Sequence, residues 1–398
     1  MPTTVVRPRT VAIALAAFLL VAFPYLFTWP FFGSFLDEFR TFQATRFAIW
    51  MIILMGLNLL TGYSGQITLG HGALVAVGAY TAAICMTHFG MPVVAAILAA
   101  GLVTGAIGFL LGVPALRLTG PYLAIATLAM MIALPQILKL DGIREWTGGV
   151  QGIVFDIEDK PRPPGALDGF VSERQWLYYC CIVPALMMTA IAWSITRSRI
   201  GRAFLAVRDT EIGAVHMGIN VPLYKMTAFG LSALYAGIGG GLWVFNEAFM
   251  SPDTFEIITS ITMLVVVVLG GVASILGTFF AAIIMTFRND IVDFLKNTGV
   301  LRLPGAVMPG QEQPADTLTG ALYGLILVFT VITMPKGIAG FIQQINRQTP
   351  RLVVASVRQR LASSADLASA LTNSAILRAR GRRGTSDDSE GERQEPGR

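Results

Sequence analysis

Asn58-Leu-Leu-Thr-Gly-Tyr-Ser-Gly-Gln-Ile-Thr-Leu-Gly-His-Gly72 sets glycines, Gln66, Ser64 and His71 in the middle of a stretch that is otherwise nearly all apolar. A bilayer core offers no water to loose backbone groups. Irregular polar backbone at that depth survives only where protein buries it or where it lines a cavity. A break of this kind points to a translocation path.

The rest of the chain supplies the apolar context. It has 398 residues, of which 54% are hydrophobic and 13% charged. Soluble domains carry about 25% charged residues. Several runs reach the roughly 20 apolar residues that span a bilayer. Long unbroken apolar runs that do not alternate are helices rather than barrel strands. The fold class is all-α: a polytopic membrane protein with about ten transmembrane helices, one of them broken. The net charge of +5 lies in loops and a tail, so topology accounts for it and nucleic acid is not an expected partner. Cys85, Cys180 and Cys181 all lie inside apolar runs without metal-ligand spacing.

The spans fall at roughly 11–29, 46–66, 68–88, 92–116, 120–139, 176–196, 223–246, 256–275, 277–297 and 317–334. The first follows Arg7 and Arg9 and could pass for a signal peptide. It lacks a small-residue cleavage site, which favours an uncleaved span. Arg197, Arg199, Arg202, Arg208 and Lys225 cluster after span six, and Lys336, Arg347 and Arg351 follow span ten. The loop at about 140–175 carries Asp141, Glu145, Asp156, Glu158, Asp159, Asp168 and Glu173. The positive-inside rule then puts both termini in the cytoplasm and that loop outside, in agreement with an even span count. Residues 1–345 are expected to form the permease domain and 346–398 a cytoplasmic tail, largely disordered, whose basic stretch Arg378–Arg383 could touch anionic lipid or simply be solvated.

Between Phe47 and Leu60 there are about fourteen residues, about 21 Å of helix and short of the roughly 30 Å core. The expected geometry is a helix that breaks below the surface near Gly62 and Gly65, with Asn58, Ser64 and Gln66 turned to a wet interior. The alternative is an ordinary tight loop at the cytoplasmic face. Asn58, Ser64, Gly65, Gln66 and His71 are the candidate path residues, although a histidine such as His71 is more often packed and hydrogen-bonded than a ligand. In span nine, Arg288 would lie about 16 Å from a start near Gly277, either facing the bundle interior or paired locally.

At these residues the chain resembles the permease subunits of branched-chain amino acid ABC transporters, of the LivM type. The carrying segment is Gly62-Tyr-Ser-Gly-Gln-Ile-Thr-Leu-Gly-His71. Three further segments follow in order: Gly120-Pro-Tyr-Leu-Ala-Ile-Ala-Thr-Leu128, Thr147-Gly-Gly-Val-Gln-Gly152 and Gly270-Gly-Val-Ala-Ser-Ile-Leu-Gly277, the last with Ala273 where glycine is usual. Pro335-Lys-Gly337 matches the close of the last span, so the resemblance covers roughly residues 10–345.

Residues 197–221 form a second candidate site. Ala203 to Val207 can be helical, Asp209 or Thr210 can cap a second short helix over Glu211–Met217, and Gly218 ends it. The segment resembles the cytoplasmic coupling element by which such permeases dock on their ATPase subunits. The resemblance maps onto Gly201, Arg202, Arg208, Asp209, Glu211 and Gly218.

The chain has no phosphate-binding Gly-x-x-x-x-Gly-Lys-Ser/Thr loop, serine-nucleophile elbow or metal-binding His/Glu pair. No cofactor is therefore expected on this chain, and ATP would be hydrolysed by partner subunits. The resemblance implies a permease subunit of an ATP-driven importer in the inner membrane, forming half the path. Its partners would be a related LivH-type permease, two ATP-binding subunits and an extracytoplasmic solute-binding protein. Urea, short amides or another small acid remain alternative solutes. An ion-coupled secondary transporter would need intramembrane carboxylates, which are sparse.

Overall fold

A computed structural model describes residues 38–118, 120–154, 161, 163, 172–247, 249–288, 290 and 337–340. The chain divides into two units, Met1–Ala315 and Asp316–Arg398. The elements below belong to the first; of the second, only a helical turn at 337–340 is described. The expected spans at 11–29 and 317–334, and the tail at 346–398, lie outside the described residues.

Helix α1 (Glu38–Leu57) passes directly into a π-helical turn, Asn58–Tyr63. The chain then leaves helical geometry for Ser64–Gly70 and re-enters it in α2 (His71–Thr87). Helices α3 (Val93–Ala115) and α4 (Pro121–Leu138) follow. After the segment that follows α4 come α5 (Glu173–Arg197), two short helices α6 (Arg199–Asp209) and α7 (Glu211–His216), and then α8 (Val221–Asn246), α9 (Ile257–Gly270) and α10 (Ile275–Thr286). Among the described residues, six segments are long and apolar enough to cross a membrane: Thr41–Tyr63, Val93–Ala115, Pro121–Leu138, Glu173–Arg197, Val221–Asn246 and Pro252–Gly270. The chain is therefore a multi-pass helical membrane protein.

Polar residues set the helix starts. Ser172 and Gln175 form a reciprocal capping box on α5. Asn220 accepts from Leu223 N at 3.2 Å to open α8, and Ser274 accepts from Gly277 N at 3.2 Å to open α10.

Burial separates centre from periphery. The apolar windows of Thr41–Tyr63 and Val221–Asn246 are 78% and 83% buried, against 33%, 17% and 28% for α3, α4 and α5. Helix α8 is the hub, packed on α1, α2 and α3. The approach is close because α8 presents glycine: a methyl at Gly240 would collide with the Val75 carbonyl of α2. The outer helices leave Leu98, Leu102, Leu110, Ile125 and Ile132 exposed, as a lipid-facing or partner-facing surface requires.

The segment after α4 is tied to the turn after α8. Strand β1 (Ile153–Val154) pairs antiparallel with β2 (Phe249–Met250), Ile153 opposite Met250. Lys139 pairs with Asp253 at 2.8 Å, and Thr147 donates to Leu138 O at 2.7 Å.

Candidate functional site

The break begins at the π-helical turn. Ser64 N donates to Leu59 O at 3.2 Å and Gln66 N to Leu60 O at 3.2 Å, so the last turn is wider than an α-helix. Asn58, expected to face a wet interior, is fully enclosed by protein. Its Nδ2 donates to Ser274 O at 2.9 Å and Thr278 Oγ1 at 2.8 Å, and its Oδ1 accepts from Ala273 N at 3.0 Å. The side chain thus joins the broken helix to the Gly270–Gly277 segment. A side chain at Gly62 would displace this amide, which explains glycine there.

His71 is also fully buried, its Nε2 3.0 Å from Ile53 O and its Nδ1 3.5 Å from Ser232 Oγ. It holds the start of α2 against α1 and α8. Gln66 is buried beside Ser64: Nε2 lies 2.6 Å from Ser64 Oγ and 3.4 Å from Lys225 O, while Oε1 has no partner among the described residues. Gly65 is exposed at φ +76°, a left-handed conformation that favours glycine, and a side chain there would strike Arg208.

The segment 197–221 folds as the two short helices expected from sequence. Ser198 caps α6 through Ile200 N at 3.1 Å; Thr210, rather than Asp209, caps α7 through Gly213 N at 3.2 Å. Gly218 ends α7 at φ +76°, with Gly218 N bonded to Val215 O and Ile219 N to Ala214 O. Gly201 lies where any side chain would strike the carbonyls of Ile195 and Thr196, so it permits the sharp exit from α5. Arg202 Nη1 returns to Arg197 O at 3.2 Å.

One face of this pair is anchored. Phe204, Val207, Ala214 and Val221 are buried. The other is open: Ile212, Val215 and Met217 are 74%, 59% and 82% exposed. These three large apolar side chains stand together on α7 and the residue that follows it.

The two candidate sites, far apart in sequence, meet. Arg208 Nη1 donates to Gly62 O at 2.8 Å, and its Nε lies 3.3 Å from Asp209 Oδ1. Lys225 closes a second link: its carbonyl accepts from Gln66, and its ammonium pairs with Glu211 Oε1 at 2.6 Å. Sequence reading counted Lys225 only among the basic loop residues. Its one distinguishing signal is a lysine in the second turn of an apolar helix. Asn58 and His71 take no part in these links; Arg202 and Gly201 shape α6 without reaching the break.

The family model for the branched-chain amino acid transport system permease component matches residues 40–331. The chain is 33% identical, over 73% of its length and 72% of the relative's, to the high-affinity branched-chain amino acid transport system permease protein LivM of Salmonella typhimurium. The identity to LivM of Escherichia coli K12 is also 33%, over the same shares. The autoinducer 2 import system permease protein LsrC of Klebsiella pneumoniae is 29% identical over 40% of this chain and 50% of its own. No solved structure matches the chain. The chain belongs to the permease-component family of branched-chain amino acid transport systems, of the LivM type.

Proposed function

We propose that this chain is the transmembrane permease subunit of an ATP-driven importer of branched-chain amino acids, forming half of the translocation path. In this reading both termini are cytoplasmic and the protein lies in the inner membrane. A related LivH-type permease completes the path, two ATP-binding subunits supply the work, and an extracytoplasmic binding protein delivers the solute. Helices α6 and α7 seat in the ATPase dimer through Ile212, Val215 and Met217. Gly201, Arg202 and Gly218 shape that element, Arg208 and Glu211 connect it to the rest of the bundle, and Asp209 pairs with Arg208.

The observation that carries the reading is the pair of links, Arg208 to Gly62 and Glu211 to Lys225 to Gln66, between an open partner-binding face and a helix broken among apolar spans. Movement of α6 and α7 on nucleotide binding pulls directly on the break. Asn58 and His71 hold the break from inside. Ser64 and Gly65 shape its turn. Gln66, whose buried Oε1 lacks a partner among the described residues, is the member of the expected path set that meets solute.

The test is uptake of labelled leucine against labelled urea into liposomes holding this chain with its permease, ATPase and binding-protein partners. ATP-dependent leucine uptake supports the reading. Urea uptake keeps the architecture and moves the solute. Purification from native membrane without any ATPase subunit overturns the importer reading itself.

A further inference from the structure

A third candidate site lies about sixteen residues, roughly 24 Å, along α1 from Gly62, toward the end of the bundle away from α6 and α7. There a cavity of about 170 Å³ is lined by residues including Arg46, Trp50, Trp243, Phe255, Met285 and Arg288. Its size suits a small solute, well below the roughly 300–1,000 Å³ of pockets for drug-sized ligands. Trp50 and Trp243 are 4% and 8% exposed and meet edge to face at 5.0 Å. Both indole N–H groups, and Nε of Arg46, are buried without a hydrogen-bond partner among the described residues. The Arg46 guanidinium lies 5.6 Å from the Trp243 ring centroid and 5.7 Å from that of Phe42. A guanidinium held beside aromatic rings keeps its N–H donors for an acceptor.

We infer that this cavity binds an aliphatic α-amino acid through its carboxylate, as an entry site on the extracytoplasmic side; the side assignment and the solute rest on the proposed function. Buried donors without partners are costly and mark a place for an acceptor. Arg46 brings a permanent positive charge to the cavity, and among the described lining residues there is no carboxylate, so the acceptor that fits is an anion. Trp50, Trp243, Phe255 and Met285 surround the remainder with apolar surface that fits a branched aliphatic side chain. No carboxylate among the described lining residues pairs with an ammonium. The site therefore reads the carboxylate and the aliphatic side chain, and tolerates loss of the amino group.

The experiment is binding of labelled leucine to the intact transporter complex in nanodiscs, without the binding protein. Unlabelled leucine, leucinamide and isocaproate serve as competitors. Isocaproate, which keeps the carboxylate and lacks the ammonium, competes; leucinamide, which lacks the carboxylate, does not. Arg46→Gln weakens leucine binding by at least about tenfold, the scale of a lost charge-assisted hydrogen bond. Trp50→Phe, which removes the N–H and keeps a ring, weakens it less. Competition by leucinamide equal to that by leucine, or unchanged binding in both variants, overturns the inference. If Arg46→Gln does not assemble, the competition pattern on the unmodified complex decides. If that complex imports leucine with its binding protein but binds none alone, the entry site falls and the proposed function stands. If urea rather than leucine is imported, the proposed solute falls and this site with it.

Discussion

Arg208 donates a 2.8 Å hydrogen bond from Nη1 to the carbonyl oxygen of Gly62, joining the end of α6 to the π-helical turn that closes α1, 146 residues earlier. A cation bound to a carbonyl in the last turn of a helix is favoured by the helix dipole as well as by the bond. The contact is also positional, because Gly65 leaves the space in which the Arg208 side chain runs.

Arg208→Ala should therefore separate hydrolysis from transport. A charge-assisted hydrogen bond contributes about 1.5–3 kcal/mol, and the partial exposure of this arginine puts it at the lower end. Leucine uptake in liposomes should fall about tenfold while ATP hydrolysis by the assembled complex continues. Arg208→Lys should recover only part of the uptake, since a point charge on a flexible stem does not reproduce the fork. Parallel loss of hydrolysis and uptake would mean that the residue serves assembly instead.

The Glu211–Lys225 pair holds the first residue of α7. The Lys225 side chain is 7% exposed and that of Glu211 51%, so water reaches the carboxylate and screens the pair. Glu211→Gln leaves a nearly buried ammonium with a weaker partner and should cost about 1 kcal/mol. Glu211→Gln with Lys225→Met should recover most of that loss. Thermal unfolding of the four proteins in one detergent gives the coupling energy, and additive losses would show that the two side chains do not act as a pair.

Much of this was legible in the chain itself. The apolar runs located α3, α4, α5 and α8 to within three residues, because hydropathy dominates inside a membrane, but α10 ends at Thr286, well short of the expected 277–297, and both it and α2 are shorter than a full span. The caps and stop of α6 and α7 follow from local chemistry, as Thr210 and Gly218 show. The role of Asn58 was not legible: a lone asparagine among apolar residues reads as solute-facing until its partners, Ala273, Ser274 and Thr278, fold beside it from more than 210 residues away. A separation of 146 residues likewise hid the contact of Arg208 with Gly62. The charge pattern predicted a basic loop, whereas the acceptor is a backbone carbonyl that any residue at position 62 would carry. The cavity at Arg46 left no signal because its lining is drawn from separate helices.

Asn58 should be hard to replace. Asn58→Leu keeps most of the volume but leaves the Ala273 N–H without its acceptor, in an interior with little water to substitute. A loss of about 2–4 kcal/mol is expected, measured as a lower unfolding temperature, with membrane insertion retained. Asn58→Asp keeps the acceptor, loses both donated bonds and sets a carboxylate beside the Ser274 carbonyl, and should be as damaging. Stability unchanged in Asn58→Leu would remove the proposed role of this side chain in holding the break.

Ala273 carries the opposite expectation. It sits at φ +56°, held there through its N–H by Asn58. A left-handed conformation costs a residue with a Cβ about 1–2 kcal/mol, while glycine loses about 0.5–1 kcal/mol more chain entropy on folding. Ala273→Gly should therefore stabilise by about 0.5 kcal/mol, a rise of roughly 1–2 °C in unfolding temperature. A fall would show that the methyl group makes packing contacts that outweigh the strain.

Gly240 tests whether close helix approach holds the hub of the bundle. A methyl group there would meet the Val75 carbonyl and Ala79 N of α2. Both are backbone atoms, so no side chain can swing aside, and α2 would have to move from α8. Gly240→Ala should cost about 2–4 kcal/mol, toward the severe end for overpacking. Gly142 is the matched control: it has open space around its would-be Cβ and ordinary backbone geometry, so Gly142→Ala should stay within about 0.5 kcal/mol of the parent. The shift of α2 would also drag His71, at its first turn, off Ile53 O. Leucine uptake should then fall more steeply in Gly240→Ala than its stability loss alone accounts for. Equal stability and equal uptake in the two variants would show that the α2–α8 contact has room to spare and that the break is held without it.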